Sequence, residues 1–247
     1  MDPIERMRTR PGLRLGIMGG TFDPIHIGHM VTAEEARQQF SLDEILFMPT
    51  GTPPHKTHQV ASADVRHLMV SIATVTHPHF WVSRYEMDVP GVDFTVDTLT
   101  HISRTLSPGT QVFFITGADA VLDILTWKQP ERVLELAAVI AATRPGYDLG
   151  RLSGVLAGLE SRERVHVMEI PALAVSSSMI RARLALGRGC RYLVPEGVGE
   201  LIEKSGVYSS PEVGTSPPVG PDVGTSPTLG REGGTSPVAD HEGFLDG

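Results

Sequence analysis

Three features of the 247-residue chain predict an α/β fold. Six short apolar runs recur along it, amphipathic stretches with helical spacing separate them, and a Gly-Gly turn directly follows the first run. Strand and helix in repetition require parallel pairing through crossover helices. The expected architecture is therefore Rossmann-like: an open parallel sheet with helices on both faces, followed by a disordered tail. In such sheets ligands bind beyond the carboxyl ends of the strands.

The first strand is expected at 13–18, where Leu13, Leu15, Ile17 and Met18 form an apolar run. Gly19 and Gly20 end it, and a helix over 28–40 follows, with Met30, Ala33, Ala36 and Phe40 on one side. Further strands are expected at 44–48, 80–83, 111–116, 138–143 and 165–170. Helices are expected at 64–76, 95–106, 130–136, 152–160, 177–186 and 197–204. This divides the chain into a flexible extension over 1–12, a catalytic domain over 13–208 and a tail over 209–247.

In the tail, Gly-Thr-Ser-Pro recurs every ten residues, at 214–217, 224–227 and 234–237. Eight glycines and six prolines among its 39 residues cannot supply a packed core. Six acids and one arginine give it a net charge of −5 of the chain's −8, so residues 1–208 are only mildly acidic. That balance argues against a nucleic-acid surface. A single cysteine, Cys190, excludes an intramolecular disulfide, and no apolar run is long enough to span a membrane. Residues 1–10 lack the apolar stretch of a secretory signal. A cytoplasmic protein is expected, with no membrane partner; a homo-oligomer is left open.

The stretch from Gly19 to His29 reads Gly-Gly-Thr-Phe-Asp-Pro-Ile-His-Ile-Gly-His. Glycines at a strand end let backbone approach a ligand, and the helix start behind them favours an anion. His26 and His29 are three apart, so if the first helical turn begins at about Ile25 they share one face. On the same sheet edge, Lys56 projects from a loop stiffened by Pro53 and Pro54, and Asp119 follows Gly117 at a helix start, suited to a ribose hydroxyl or to a cap. Trp127 offers a ring for stacking or for the core. Ser176, Ser177 and Arg181 combine hydroxyls, a helix start and a cation, which suit a polyphosphate.

The His26-Ile27-Gly28-His29 stretch resembles the His-x-Gly-His motif of the nucleotidylyltransferase superfamily. From residue 13 to 208 the chain is similar to the bacterial nicotinate-nucleotide adenylyltransferase family. The likeness rests on that stretch, Pro53-Pro54-His55-Lys56, Phe94-Thr95-Val96-Asp97-Thr98-Leu99, Gly117-Ala118-Asp119 with Trp127, Arg144-Pro145-Gly146, the serine-rich 175–181 and Arg191-Tyr192-Leu193-Val194-Pro195. Ser178 and Phe94 depart from the family's usual Thr and Tyr.

The resemblance implies transfer of AMP from ATP to nicotinate mononucleotide, in NAD biosynthesis, by direct in-line attack. It implies that His26, His29, Lys56 and Arg181 act on the reacting phosphates. ATP is expected against Gly19, Gly20, Thr21, Phe22, Gly117, Asp119, Ser176 and Ser177, with Ser177 and Arg181 at the β and γ groups. Nicotinate mononucleotide is expected against Thr21, Lys56, Thr95, Trp127 and Arg144. Mg2+ is expected to arrive on the ATP phosphates, with no protein ligand set. The residues alone leave acid or amide preference open. A phosphopantetheine adenylyltransferase would lack the 94–99 and Trp127 elements. A class I aminoacyl-tRNA synthetase would show a Lys-Met-Ser-Lys-Ser-like loop and a basic surface. An idle nucleotide-binding module would not require both histidines and Arg181.

Overall fold

The computed structural model describes residues 2–51, 61–90 and 94–209. Lys56 with its flanking Pro53, Pro54 and His55, and the repeats beyond residue 209, lie outside the described residues.

All six expected strands form, with bounds within two residues of the sequence reading: β1 (Arg14–Gly20), β2 (Glu44–Pro49), β3 (Phe80–Val82), β4 (Gln111–Gly117), β5 (Ala138–Thr143) and β6 (Val165–Glu169). They make one sheet in the order β3-β2-β1-β4-β5-β6, and every pairing is parallel. The chain winds outward from β1 to β3, then returns to the other side of β1 for β4 to β6. Connections therefore leave β1 and β4 in opposite directions, which opens a crevice at their carboxyl ends.

The period of two along each strand assigns side chains to opposite faces. On one face Met18, Ile45, Phe47, Ile115, Ile140 and Met168 pack beneath α2 (Ile27–Gln39), α3 (Ala63–Thr74), α9 (Ser177–Ala185) and α10 (Glu196–Ser205). On the other, Leu15, Ile17, Leu46, Met48, Val139 and Ala141 pack beneath α5 (Thr95–Thr105), α6 (Ala118–Leu122), α7 (Pro130–Leu136) and α8 (Leu149–Leu156). At the centre, a Cβ on Gly16 would lie 2.6 Å from Ile45 Cδ1 and 2.9 Å from both Ile115 and Leu42, so a larger residue would have to push aside the ends of three packed aliphatic side chains.

Residues 1–12 differ from the expected flexible extension. Pro3–Met7 form a short helix, α1, whose Ile4 and Met7 are buried in the second core. Asp2 caps it, accepting from the Ile4 N–H at 2.9 Å, while its other oxygen accepts from the Ser83 hydroxyl at 2.7 Å. Arg6 lies over the Trp81 ring at 4.4 Å, and Arg10 pairs with Glu44. Asp followed by Pro at the first helical position is the signal that would have marked this start. A four-residue helix, α4 (Tyr85–Asp88), was also not expected, while α6 forms at the helix start expected around Asp119. Helix α8 begins three residues before the expected 152, because Asp148 accepts from the amides of Gly150 and Arg151.

Candidate functional site

The Gly-Gly turn stands at the carboxyl end of β1, beside β4, where the crevice opens. A Cβ on Gly20 would approach the Phe22 ring to 3.2 Å and one on Gly19 the Phe114 ring to 3.3 Å, so both glycines make room for neighbouring aromatics. Phe22 adopts a positive φ of 53°, a rare state for a bulky residue. Packing holds it there: its ring is buried, edge-on to His29 at 5.1 Å and 5.9 Å from Phe47. The ring of Phe22, a residue expected against ATP, therefore belongs to the core.

His26 stands at the N-cap of α2 in an extended conformation, outside the helix, so the turn does not begin at Ile25 and the two histidines do not share a helical face. Its backbone N–H donates to Nδ1 of His29 at 3.1 Å, and the two rings stack with centroids 3.7 Å apart. With Nδ1 accepting, the proton of a neutral His29 ring sits on Nε2, which is then the donor of that ring. Burial lowers the His26 pKa to about 4, so that ring is neutral at pH 7. The His26 side chain is buried and turns back toward the amide of His29, so the two histidines cap the start of α2 reciprocally.

The loop between β1 and α2 is held from below by side chains distant in sequence. Arg66, fully buried on α3, donates from Nη1 to the carbonyls of Thr21 and Thr50 at 2.8 Å each, and from Nη2 to that of Gly51 at 2.9 Å. Its Nε reaches the Ala61 carbonyl at 3.4 Å. Burial draws the Arg66 pKa down while the charge of Asp23 opposes the shift. The Tyr208 hydroxyl donates to Oδ1 of Asp23 at 2.5 Å.

Helix α9 contributes differently from the expectation. The Ser177 hydroxyl is buried and donates to the Pro24 carbonyl at 2.8 Å, so it holds the loop and does not face a phosphate. Arg181 donates Nη1 to the Asp23 carbonyl at 2.6 Å, with its side chain 27% exposed. Ser176 caps the helix, accepting from the Met179 amide at 3.2 Å.

Across the crevice, Gly117 ends β4 and places Asp119 in the first turn of α6. Tyr147 stands beside it; burial first, and then the Asp119 carboxylate, push the Tyr147 pKa up to about 12. Arg144 follows β5, in a turn closed by the Tyr147 amide on its carbonyl at 3.1 Å. Thr95 opens α5, and Trp127 meets Phe114 of β4 edge-on at 5.9 Å. Lys128 ties these two segments, pairing with Asp97 at 2.9 Å and lying 4.7 Å from the centre of the Phe94 ring. The start of α5 and the Trp127 turn thus form one wall. Arg66, Tyr208 and Tyr147 are the participants that the sequence reading missed.

Among the described residues no group of three or more His, Cys, Asp or Glu side chains is placed to hold a metal ion, and no helix is long and apolar enough to cross a membrane. Cys190 is buried in the first core, where burial pushes its thiol pKa up.

A cytidylyltransferase-like family model matches residues 17–183. A Moorella thermoacetica protein named "Probable nicotinate-nucleotide adenylyltransferase" is 50% identical over 203 residues, covering 81% of this chain and 93% of its own. A Streptomyces coelicolor protein of the same name is 50% identical over 192 residues, covering 77% of this chain and 98% of its own. Among solved structures, the Plasmodium falciparum nicotinic acid mononucleotide adenylyltransferase complexed with NaAD shares the fold, with a TM-score of 0.64 at 20% identity over 79% of this chain and 97% of its own.

Proposed function

The chain belongs to the nicotinate-nucleotide adenylyltransferase family, within the cytidylyltransferase-like group, and we propose that its crevice transfers AMP from ATP to nicotinate mononucleotide, giving deamido-NAD and pyrophosphate. The observation that carries this reading is the stacked pair His26 and His29 at the start of α2, at the sheet's switch point.

In this reading the mononucleotide phosphate attacks the α-phosphorus of ATP in line, and the bond to the pyrophosphate oxygen breaks, with no covalent enzyme intermediate. Charge builds on the nonbridging α-oxygens and on the leaving group. The chain's part is to supply fixed donors where that charge develops. His29 offers Nε2–H, the α2 start adds its dipole, and Arg181 faces the departing pyrophosphate. ATP enters as its Mg2+ complex. Among the described residues no carboxylate cluster is placed to hold that ion, so it would be carried by the phosphates and water and would neutralise charge on the departing pyrophosphate.

Asp119 serves a ribose. Thr95 and Trp127 flank the pyridine ring, and Arg144 is its cationic neighbour from the β5 edge. The role of Lys56 at the reacting phosphates rests on its sequence; the residues flanking its segment, Gly51 and Ala61, are both held by Arg66.

The test is pyrophosphate release with ATP and, separately, nicotinate mononucleotide, nicotinamide mononucleotide and phosphopantetheine, with product identified by chromatography. Fastest release with the acid mononucleotide, and deamido-NAD as product, is expected. Absence of release with all three acceptors would leave only a nucleotide-binding module, and release with phosphopantetheine alone would overturn the assignment of the acceptor.

A further inference from the structure

Asp23 lies three residues before His26, in the loop that presents both histidines. Its carboxylate is buried and turned away from the crevice, with Oδ1 taking the Tyr208 hydroxyl at 2.5 Å from 185 residues along the chain. Its carbonyl accepts from Arg181 at 2.6 Å, and Arg181 Nη1 also stands 4.0 Å from Oδ2. The positive charge of Arg66 faces the same carboxylate from α3. Burial, reinforced by Asp23, pushes the Tyr208 pKa far above the usual tyrosine range, so the hydroxyl keeps its proton and acts as a donor.

Tyr208 itself is 5% exposed and packs in the first core just after the Gly206 cap of α10. A tyrosine buried only for its ring would need no such partner, and a buried carboxylate needs donors. The pair joins the end of the catalytic domain to the phosphate loop.

We propose that Tyr208 is a positioning residue of the phosphate site, fixing Asp23 and, through it, the loop that carries His26 and His29. Its hydroxyl is committed to Asp23 and meets no substrate, so it acts only through the geometry of others. Loss of the bond lets Asp23 and its carbonyl shift against Arg181, moving the donors relative to the α-phosphate. A misplacement of about 1 Å can cost about a hundredfold in rate.

The proposal rests on the adenylyl-transfer reading, and the full-length chain tests both. Tyr208→Phe is expected to lower kcat/KM for ATP by about tenfold, a fraction of that ceiling, with KM for nicotinate mononucleotide unchanged within about twofold. In an Asp23→Ala background, where the acceptor is already gone, the same substitution should add less than about twofold, because the two residues act as one unit. Kinetics unchanged by Tyr208→Phe, or losses that vanish on assay well below the melting temperature, would overturn the proposal. Should Tyr208→Phe not fold, Asp23→Ala, which removes the acceptor of its hydroxyl, carries the same expectation for ATP; silence there overturns it equally. Calorimetric titration with α,β-methylene-ATP separates the two ideas. A wild-type chain that binds the analogue yet turns over no mononucleotide refutes adenylyl transfer, while weaker binding by Tyr208→Phe still supports positioning.

Discussion

The N–H of His26 donates to Nδ1 of His29 at 3.1 Å, so the backbone of one motif histidine sets the tautomer of the other. The second ring then presents Nε2–H, and stacking at 3.7 Å prevents it from turning away. An orientation fixed by the fold in this way suits a preorganised donor.

Removing that donor is therefore expected to act on turnover. His29→Ala should lower kcat by about a hundredfold or more, the size found for a preorganised donor to developing charge. Pyrophosphate release by a mutant whose circular dichroism matches the wild type is the measurement. Turnover within about threefold of wild type would deny His29 its role.

His26 predicts a pH dependence of stability. Its pKa in the folded protein is about 4, below the usual 6.5, because burial disfavours the charged ring. Between those values the unfolded chain binds the extra proton and the folded chain does not, so stability falls as the pH drops from about 6.5 toward 4. Integrated over the window this amounts to roughly 3 kcal/mol at most. Urea unfolding at pH 7, 5.5 and 4.5 should show a steeper loss for wild type than for His26→Asn. Equal slopes would mean that the ring is not held neutral by the fold.

The histidine pair was legible because its chemistry is local: glycines, a strand end and a helix start lie within eleven residues of one another. The strands were legible for the same reason, since fully buried parallel strands read as continuous apolar runs. Arg66 was not. In Ala63–Thr74 it occupies a place where an arginine normally faces water, and its burial depends on carbonyls at 21, 50, 51 and 61 brought together only by the finished sheet. Ser177 shows the converse. Its position suited a phosphate, but the Pro24 carbonyl, 153 residues away in sequence, takes its hydroxyl.

Arg66 should accordingly matter more than its place in the sequence suggests. Arg66→Met strips the carbonyls of Thr21, Thr50 and Gly51 of a shared donor and leaves the Asp23 charge less compensated. Removing one member of such a buried network is expected to cost about 3–5 kcal/mol. Arg66→Lys keeps the charge but not the planar fork, so it should recover only part of that loss. Chemical unfolding of both variants checks this; a cost below about 1 kcal/mol for Arg66→Met would show that the carbonyls find other donors.

The end of the domain gives the last prediction, and it falls between two neighbouring truncations. Helix α10 stops at Gly206, whose φ of 63° suits a glycine cap, and Tyr208 then returns to the core before the repeats begin. The repeats have no aromatic anchors and a third of their residues are glycine or proline, so removing 210–247 should leave turnover and melting temperature essentially unchanged. Removing 207–247 also takes Val207 and Tyr208. An aromatic ring buried from water contributes about 2 kcal/mol and its hydrogen bond about 1 kcal/mol. At about 2–4 °C per kcal/mol for a chain of this size, the melting temperature should fall by roughly 10 °C. Thermal melts and pyrophosphate release on both truncations decide it: a large loss in the chain ending at residue 209 would give the repeats a role in the folded enzyme, and an unchanged chain ending at 206 would remove Tyr208 from the account of the phosphate loop.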